Sequence, residues 1–205
     1  MPVRVKICGI TRTDDALLAA RLGADALGFN FWPGSKRHVT PPEAREIVRR
    51  LPPLVTAVGV FVNPTRDEVL RAVDIARISV VQLHGDEPPE LCASLPVPVW
   101  KVIRVTGRSA LAALASYEVQ GFLLDAPAPG YGGGGATFDW ALAAEVAAEL
   151  PVLLAGGLTP ENVAEAVRTV RPWGVDVASG VESAAGLKDP EKLRRFLAAA
   201  KERAT

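Results

Sequence analysis

The sequence predicts an α/β fold, a single (β/α)8 barrel of the TIM type, and three observations carry that prediction. Eight short β-rich runs alternate with helix-start signals along the whole chain. Most of the runs are continuously apolar, as strands covered by helices require, and lack the alternation of a half-exposed antiparallel sheet. Eight strands within 205 residues favour closure into a barrel over an open doubly wound sheet. The loops must then be short, and no linker divides the chain, so residues 1–205 read as one domain.

The elements follow in order. The first run, Val3–Ile7, precedes Thr13-Asp14-Asp15, a helix start with its acids at the positive end. Leu17, Leu18 and Leu22 share the face expected to turn inward, and Gly23 ends the helix. Asp25–Phe29 leads to the capping box Thr40-Pro41-Pro42-Glu43, with proline at its favoured first helical positions. Pro52-Pro53 turns the chain into Thr56–Val62, and Thr65-Arg66-Asp67-Glu68 is a second capping box. Ser79–Leu83, a helix within Pro89–Leu95, Pro98–Arg104, the turn residue Gly107 and Gly121–Leu124 come next. Val152–Ala155 with Thr159-Pro160-Glu161, then Gly174–Ala178 with Asp189-Pro190-Glu191, complete the alternation.

Composition narrows the function. Lys plus Arg and Asp plus Glu both number 23, so no net field draws the chain to nucleic acid or to an anionic membrane, and an anionic ligand must be held locally. No apolar stretch approaches the roughly 20 residues that span a bilayer, and Met1-Pro2-Val3-Arg4 lacks the pattern of a signal peptide. The expected location is the cytoplasm. Cys8 and Cys92 lie far apart with no His or Cys at ligand spacing, which points to neither a metal site nor a disulfide framework.

In a barrel of this kind the chemistry sits where the strands end. Cys8 stands at the end of the first strand, where a nearby cation would activate its thiol as a base, although a free cysteine also serves as a small apolar core residue. Cys92, inside a helix, reads as structural. Asp125 follows Gly121-Phe122-Leu123-Leu124 and is either an acid at the mouth or a cap of the next loop. Ala155-Gly156-Gly157-Leu158 and Ala178-Ser179-Gly180-Val181-Glu182 follow the seventh and eighth strands, where glycines and a following helix start suit a phosphate. After the second strand, Arg37 offers a fork for a carboxylate amid Phe29, Phe31 and Trp32, or is an ordinary solvated arginine. Gly130-Tyr131-Gly132-Gly133-Gly134-Gly135 reads as a lid; it lacks the context of a dinucleotide fingerprint. His84 and Arg104 are candidates for the wall of the mouth.

Taken together, Lys6-Ile7-Cys8-Gly9-Ile10-Thr11, Gly28-Phe29 with Ser35-Lys36-Arg37, Val81-Gln82-Leu83-His84-Gly85, Leu124-Asp125, Thr137-Phe138-Asp139-Trp140 and the two glycine loops resemble the phosphoribosylanthranilate isomerase family of tryptophan biosynthesis, in order and over nearly the whole chain. The resemblance implies an Amadori rearrangement of a small phosphorylated substrate without cofactor or metal. It implies Asp125 as general acid, Cys8 as general base, Arg37 on the anthranilate carboxylate, and backbone groups of Gly156, Gly157, Ser179 and Gly180 on the phosphate. The family often carries a lysine before Thr137, where this chain has Ala136. A pentose-phosphate epimerase shares the phosphate loops but usually needs carboxylates and metal-binding histidines that are missing here, and a non-catalytic phosphate-ligand sensor would not need Cys8 and Asp125 together. A homodimer is a further expectation.

Overall fold

A computed structural model describes residues 3–127 and 138–202. Eight parallel strands close into a barrel in sequence order: β1 (Arg4–Cys8), β2 (Ala26–Asn30), β3 (Thr56–Phe61), β4 (Val80–Leu83), β5 (Val99–Arg104), β6 (Gly121–Asp125), β7 (Val152–Leu154) and β8 (Gly174–Val177). Closure pairs β1 with β8 and sets Lys6 opposite Asp176, while Cys8 is opposite Gly28 on β2. The helices between them are α1 (Thr13–Arg21), α2 (Pro41–Val48), α3 (Arg66–Ala76), α4 (Pro89–Ser94), α5 (Arg108–Leu111), α6 (Trp140–Ala147), α7 (Val163–Val170) and α8 (Pro190–Lys201).

Both predicted capping boxes form. Thr40 and Thr65 accept from the backbone N–H of Glu43 and Glu68, and those glutamates accept in return from the threonine N–H at 2.7 Å each. Other starts differ from expectation. Thr13 opens α1 itself, and Arg12 stands at the cap without a side-chain bond. Thr159 begins a turn and not a helix: Asn162 accepts from Thr159 N–H at 2.8 Å and donates to Gly157 O at 3.0 Å, delaying α7 to Val163. The inward face of α1 is Asp15, Ala16 and Ala19, not Leu17, Leu18 and Leu22. Small residues bring that helix close to the barrel, while Leu18 and Leu22 pack at the margin of the core.

Alternation along the strands sorts side chains between two compartments. Val5, Ile7, Leu27, Phe29, Phe122, Leu124, Val175 and Val177 pack outward against the helices in the principal core. A separate cluster of Val102, Leu123, Leu153 and Ala155, with Trp100 against it, fills the barrel interior. The same parity turns Lys6, Gln82 and Asp176 inward, all of them buried. At the next inward step toward the strand ends stand Cys8, His84, Arg104 and Asp125. Cys8 and Asp125 are thus the last residues of their strands, one position deeper than loop residues would be.

Candidate active site

The catalytic end of the barrel brings the two predicted reactive groups into one mouth. Cys8 is half-buried and Asp125 is buried. Asp125 is oriented by the backbone, where Ala126 N–H donates to Oδ1 at 2.9 Å, and His84 Nε2 lies 3.3 Å from Oδ2 without hydrogen-bond geometry. His84 is in turn set by Gln82, whose Nε2 lies 3.3 Å from its Nδ1. Below this loop a buried ion pair, Lys101 Nζ to Glu87 at 2.8 Å, ties β5 to the turn after β4. Glu87 also accepts from the N–H groups of Gly85 and Asn63, so the loop carrying His84 is anchored from the core. Arg104 bonds Asp86 at 2.6 Å on the rim.

The two glycine loops meet. Gly156 and Gly157 adopt positive φ of 82° and 61°, a conformation that side chains other than glycine rarely accept. A Cβ at Gly156 would stand 2.6 Å from Ala126 N and 3.1 Å from Asp125 Oδ1, so this loop runs directly beside the carboxylate. A Cβ at Gly180 would collide with the carbonyl of Leu158. Both contacts demand glycine because backbone approaches backbone. Ser179 and Gly180 lie in a three-residue 3-10 turn, Ser179–Val181, and the long helix that follows starts at Asp189-Pro190-Glu191 as the sequence predicts. Between the two the chain forms a small hairpin, β9 (Glu182–Ala184) and β10 (Leu187–Lys188). Glu182, at the start of that hairpin, is drawn inward by two cations.

Those cations are Arg37 and Lys188. Arg37 Nε and Nη2 donate to the two oxygens of Glu182 at 2.8 and 2.6 Å, and Lys188 Nζ donates to Glu182 Oε1 at 2.9 Å. Burial would push the Glu182 carboxyl up, but its hydrogen bond to Arg37 and the charge of Lys188 hold it below the ordinary range. Arg37 is raised by the same pairing. Its aliphatic stem lies over Gly9, at φ 75°, where any side chain would strike the Arg37 Cδ. The guanidinium is thereby fixed next to the loop after Cys8, with Nη1 outside the Glu182 bonds. Lys188 also donates to the carbonyls of Cys8 and Ala178 at 2.6 and 3.1 Å, tying the ends of β1 and β8 together.

Lys6, Asp176, Glu182 and Lys188 were not expected as site residues. For Lys6 and Asp176 the signal in the sequence is a charge within a run otherwise buried, which in a barrel means an inward-facing, paired group. Cys92 is buried in α4 against the outer core, in keeping with a structural role. Among the described residues no three His, Cys, Asp or Glu side chains group to hold a metal ion. The expected lid at Gly130–Gly135, and Ala136 with Thr137, lie outside the described residues.

A closed parallel barrel with an acid, a thiol, a fixed guanidinium and paired glycine loops at its catalytic end is an enzyme scaffold of the (β/α)8 class. The family described as N-(5'-phosphoribosyl)anthranilate (PRA) isomerase matches residues 5–199. The chain belongs to that family. It is 54% identical to the N-(5'-phosphoribosyl)anthranilate isomerase of Myxococcus xanthus, over 98% of this chain and 97% of the relative. The phosphoribosyl anthranilate isomerase of Thermotoga maritima superposes with a TM-score of 0.93 at 44% identity, covering 97% of this chain and 98% of that one; a further structure of it describes a dimeric protein turned into monomers. A phosphoribosyl anthranilate isomerase in complex with reduced 1-(o-carboxyphenylamino)-1-deoxyribulose 5-phosphate has a TM-score of 0.87 at 41% identity, covering 97% and 98% of the two chains.

Proposed function

We propose that this chain converts N-(5'-phosphoribosyl)anthranilate to 1-(2-carboxyphenylamino)-1-deoxyribulose 5-phosphate, the Amadori step of tryptophan biosynthesis, with Asp125 as general acid and Cys8 as general base. The observation that carries the reading is the polarity of the mouth. The glycine loop at Gly156 adjoins Asp125, while the Arg37 guanidinium adjoins the loop after Cys8. A ligand with a phosphate at one end and a carboxylate at the other therefore lies across both reactive groups, and anchoring both ends holds the reacting carbons between them.

The chemistry needs one proton given and one taken. Asp125 donates to the furanose ring oxygen; the C1–O bond breaks as the anilino nitrogen lone pair forms the C1–N double bond of a Schiff base. The C2 proton is now acidic, and the Cys8 thiolate removes it, leaving an enolamine whose tautomerisation moves a proton from the C2 hydroxyl to C1 and yields the ketone. The hydrogen bond from Ala126 orients the acid before the substrate arrives. Gly157, Ser179 and Gly180 complete the phosphate site with their backbone N–H groups.

Loss of substrate fluorescence tests this directly. Cys8→Ala and Asp125→Asn should each lower kcat about 100-fold or more, the usual worth of a positioned acid or base, with KM within a few-fold. Arg37→Ala should mainly raise KM. An unchanged kcat in either of the first two variants removes that residue from the mechanism, and no turnover by the parent removes the reaction.

A homodimer also belongs to this reading. Leu54 is 92% exposed and Trp173 49% exposed at the base of the barrel. They border a cavity of about 270 Å³ whose walls combine Trp100, Leu153, Val58 and Val80 with Arg4, Lys6, Asp25 and Gln82. An exposed apolar side chain beside a cavity with apolar walls supplies both halves of an isologous contact under twofold symmetry. The location proposed is the cytoplasm, where an ionised phosphate ester is retained; among the described residues no helix is long and apolar enough to cross a membrane.

A further inference from the structure

We propose that Lys6, held by Asp176 inside the barrel, is a positioning residue that pairs with the Cys8 thiolate in a space kept open by Gly28. The inference deepens the reading of Cys8 as the base and rests on it.

Lys6 and Cys8 are two apart on β1, so both face the interior. Lys6 Nζ donates to Asp176 Oδ1 at 2.8 Å, and both side chains are nearly out of solvent. A Cβ built on Gly28 would stand 2.8 Å from Cys8 Sγ and 3.1 Å from Lys6 Nζ. Thiol sulfur and ammonium nitrogen therefore converge on one point, the one a side chain at residue 28 would occupy. Gly28 has no need of a left-handed backbone; its role is the volume it leaves free.

The electrostatics agree with the geometry. Burial pushes the Cys8 thiol up, and the strongest influence pulling it back is the charge of Lys6. Asp176 acts against Lys6 there, and Lys188 from the hairpin acts with it. Arg37, from the loop after β2, also faces the sulfur, its charge already shared with Glu182. Burial is the strongest influence on Lys6 and would lower it, yet Asp176 and Cys8 together outweigh burial and keep the ammonium above its ordinary value, hence charged. In the reaction Cys8 takes the C2 proton while Lys6 keeps its own. Its part is to favour the thiolate that begins the step.

The pairing predicts opposite signs for two substitutions. Asp176→Asn keeps an acceptor for Lys6 but removes the opposing negative charge, so the Cys8 midpoint should fall. Lys6→Met combined with Asp176→Asn removes both charges without stranding a buried carboxylate, so the midpoint should rise above that of the parent by about one unit, which is about ten-fold less thiolate at neutral pH. The readout is the pH dependence of iodoacetamide adduct formation at Cys8, located by mass spectrometry. Gly28→Ala serves as a second route: its methyl forces sulfur and ammonium apart, and the midpoint should also rise. For the double variant, kcat at pH 7 should fall about ten-fold and recover as pH rises, with KM little changed. Coincident midpoints in the parent and all three variants, or a rise in Asp176→Asn matching the others, would overturn the pairing. Because adduct formation does not depend on turnover, shifted midpoints with unaffected kcat support the pair and sink the catalytic base, whereas a dead Cys8→Ala with unshifted midpoints does the reverse.

Discussion

Glu182 shows how a single side chain can shape the mouth it does not line. It stands between Arg37 and Lys188, and through them it touches the loops after β1, β2 and β8. Because its carboxyl is held below its ordinary pKa in the folded protein, its contribution is full above the unfolded glutamate value, about 4.3, and is lost as pH falls through the folded value. Glu182→Gln should lower stability at pH 7 by about 2 kcal/mol, the typical worth of hydrogen bonds to a charged group. Thermal unfolding between pH 3 and 7 checks the sign: the gap between parent and variant should close in acid, and a gap constant with pH would refute the linkage. At this scale the sequence was legible in position, where a candidate residue ended an apolar run, as Cys8 and Asp125 do. Lys6 was not legible, since its partner Asp176 is 170 residues away and only closure of the sheet makes them neighbours.

Secondary elements obey local rules where the rules are self-contained. The boxes at Thr40 and Thr65 need only four consecutive residues, and both formed. Thr65→Ala should cost about 1 kcal/mol and lower the melting temperature by roughly 2–4 °C for a chain of this size, without altering kcat, because α3 leaves from the rim without contributing a reactive group. An unchanged melting temperature would mean that packing of Val69 and Ala72 alone sets the start of α3. The rules failed where a side chain had a distant or competing partner. Asn162 clamps the Gly157 loop and delays the start of α7, and a hairpin that the sequence did not announce stands between β8 and α8, with Glu182 paired to Arg37 and Lys188. Leucines gave way to alanines on the inner face of α1 because a helix seated tightly on a barrel buries its smallest residues deepest.

For the whole molecule, the two ends of the barrel serve different ends: one carries the polar mouth and the other the apolar base with Leu54 and Trp173. Sedimentation should find a dimer in the parent and a monomer in Leu54→Asp, with kcat nearly unchanged because the base is remote from the mouth; a monomeric parent would sink the dimer. The sequence by itself determined the barrel, the order of its elements and the positions of Cys8, Asp125 and the glycine loops, because strand parity, capping and punctuation are local properties of consecutive residues. Tertiary structure alone decided that Arg37 is braced by Glu182, that the loop of Gly156 abuts Asp125, and that Lys6 meets Cys8 over Gly28. Those contacts bring together different strands and loops, Gly28 of β2 against Lys6 and Cys8 of β1 among them, and their distances exist only once the ring of eight strands has closed and set its register.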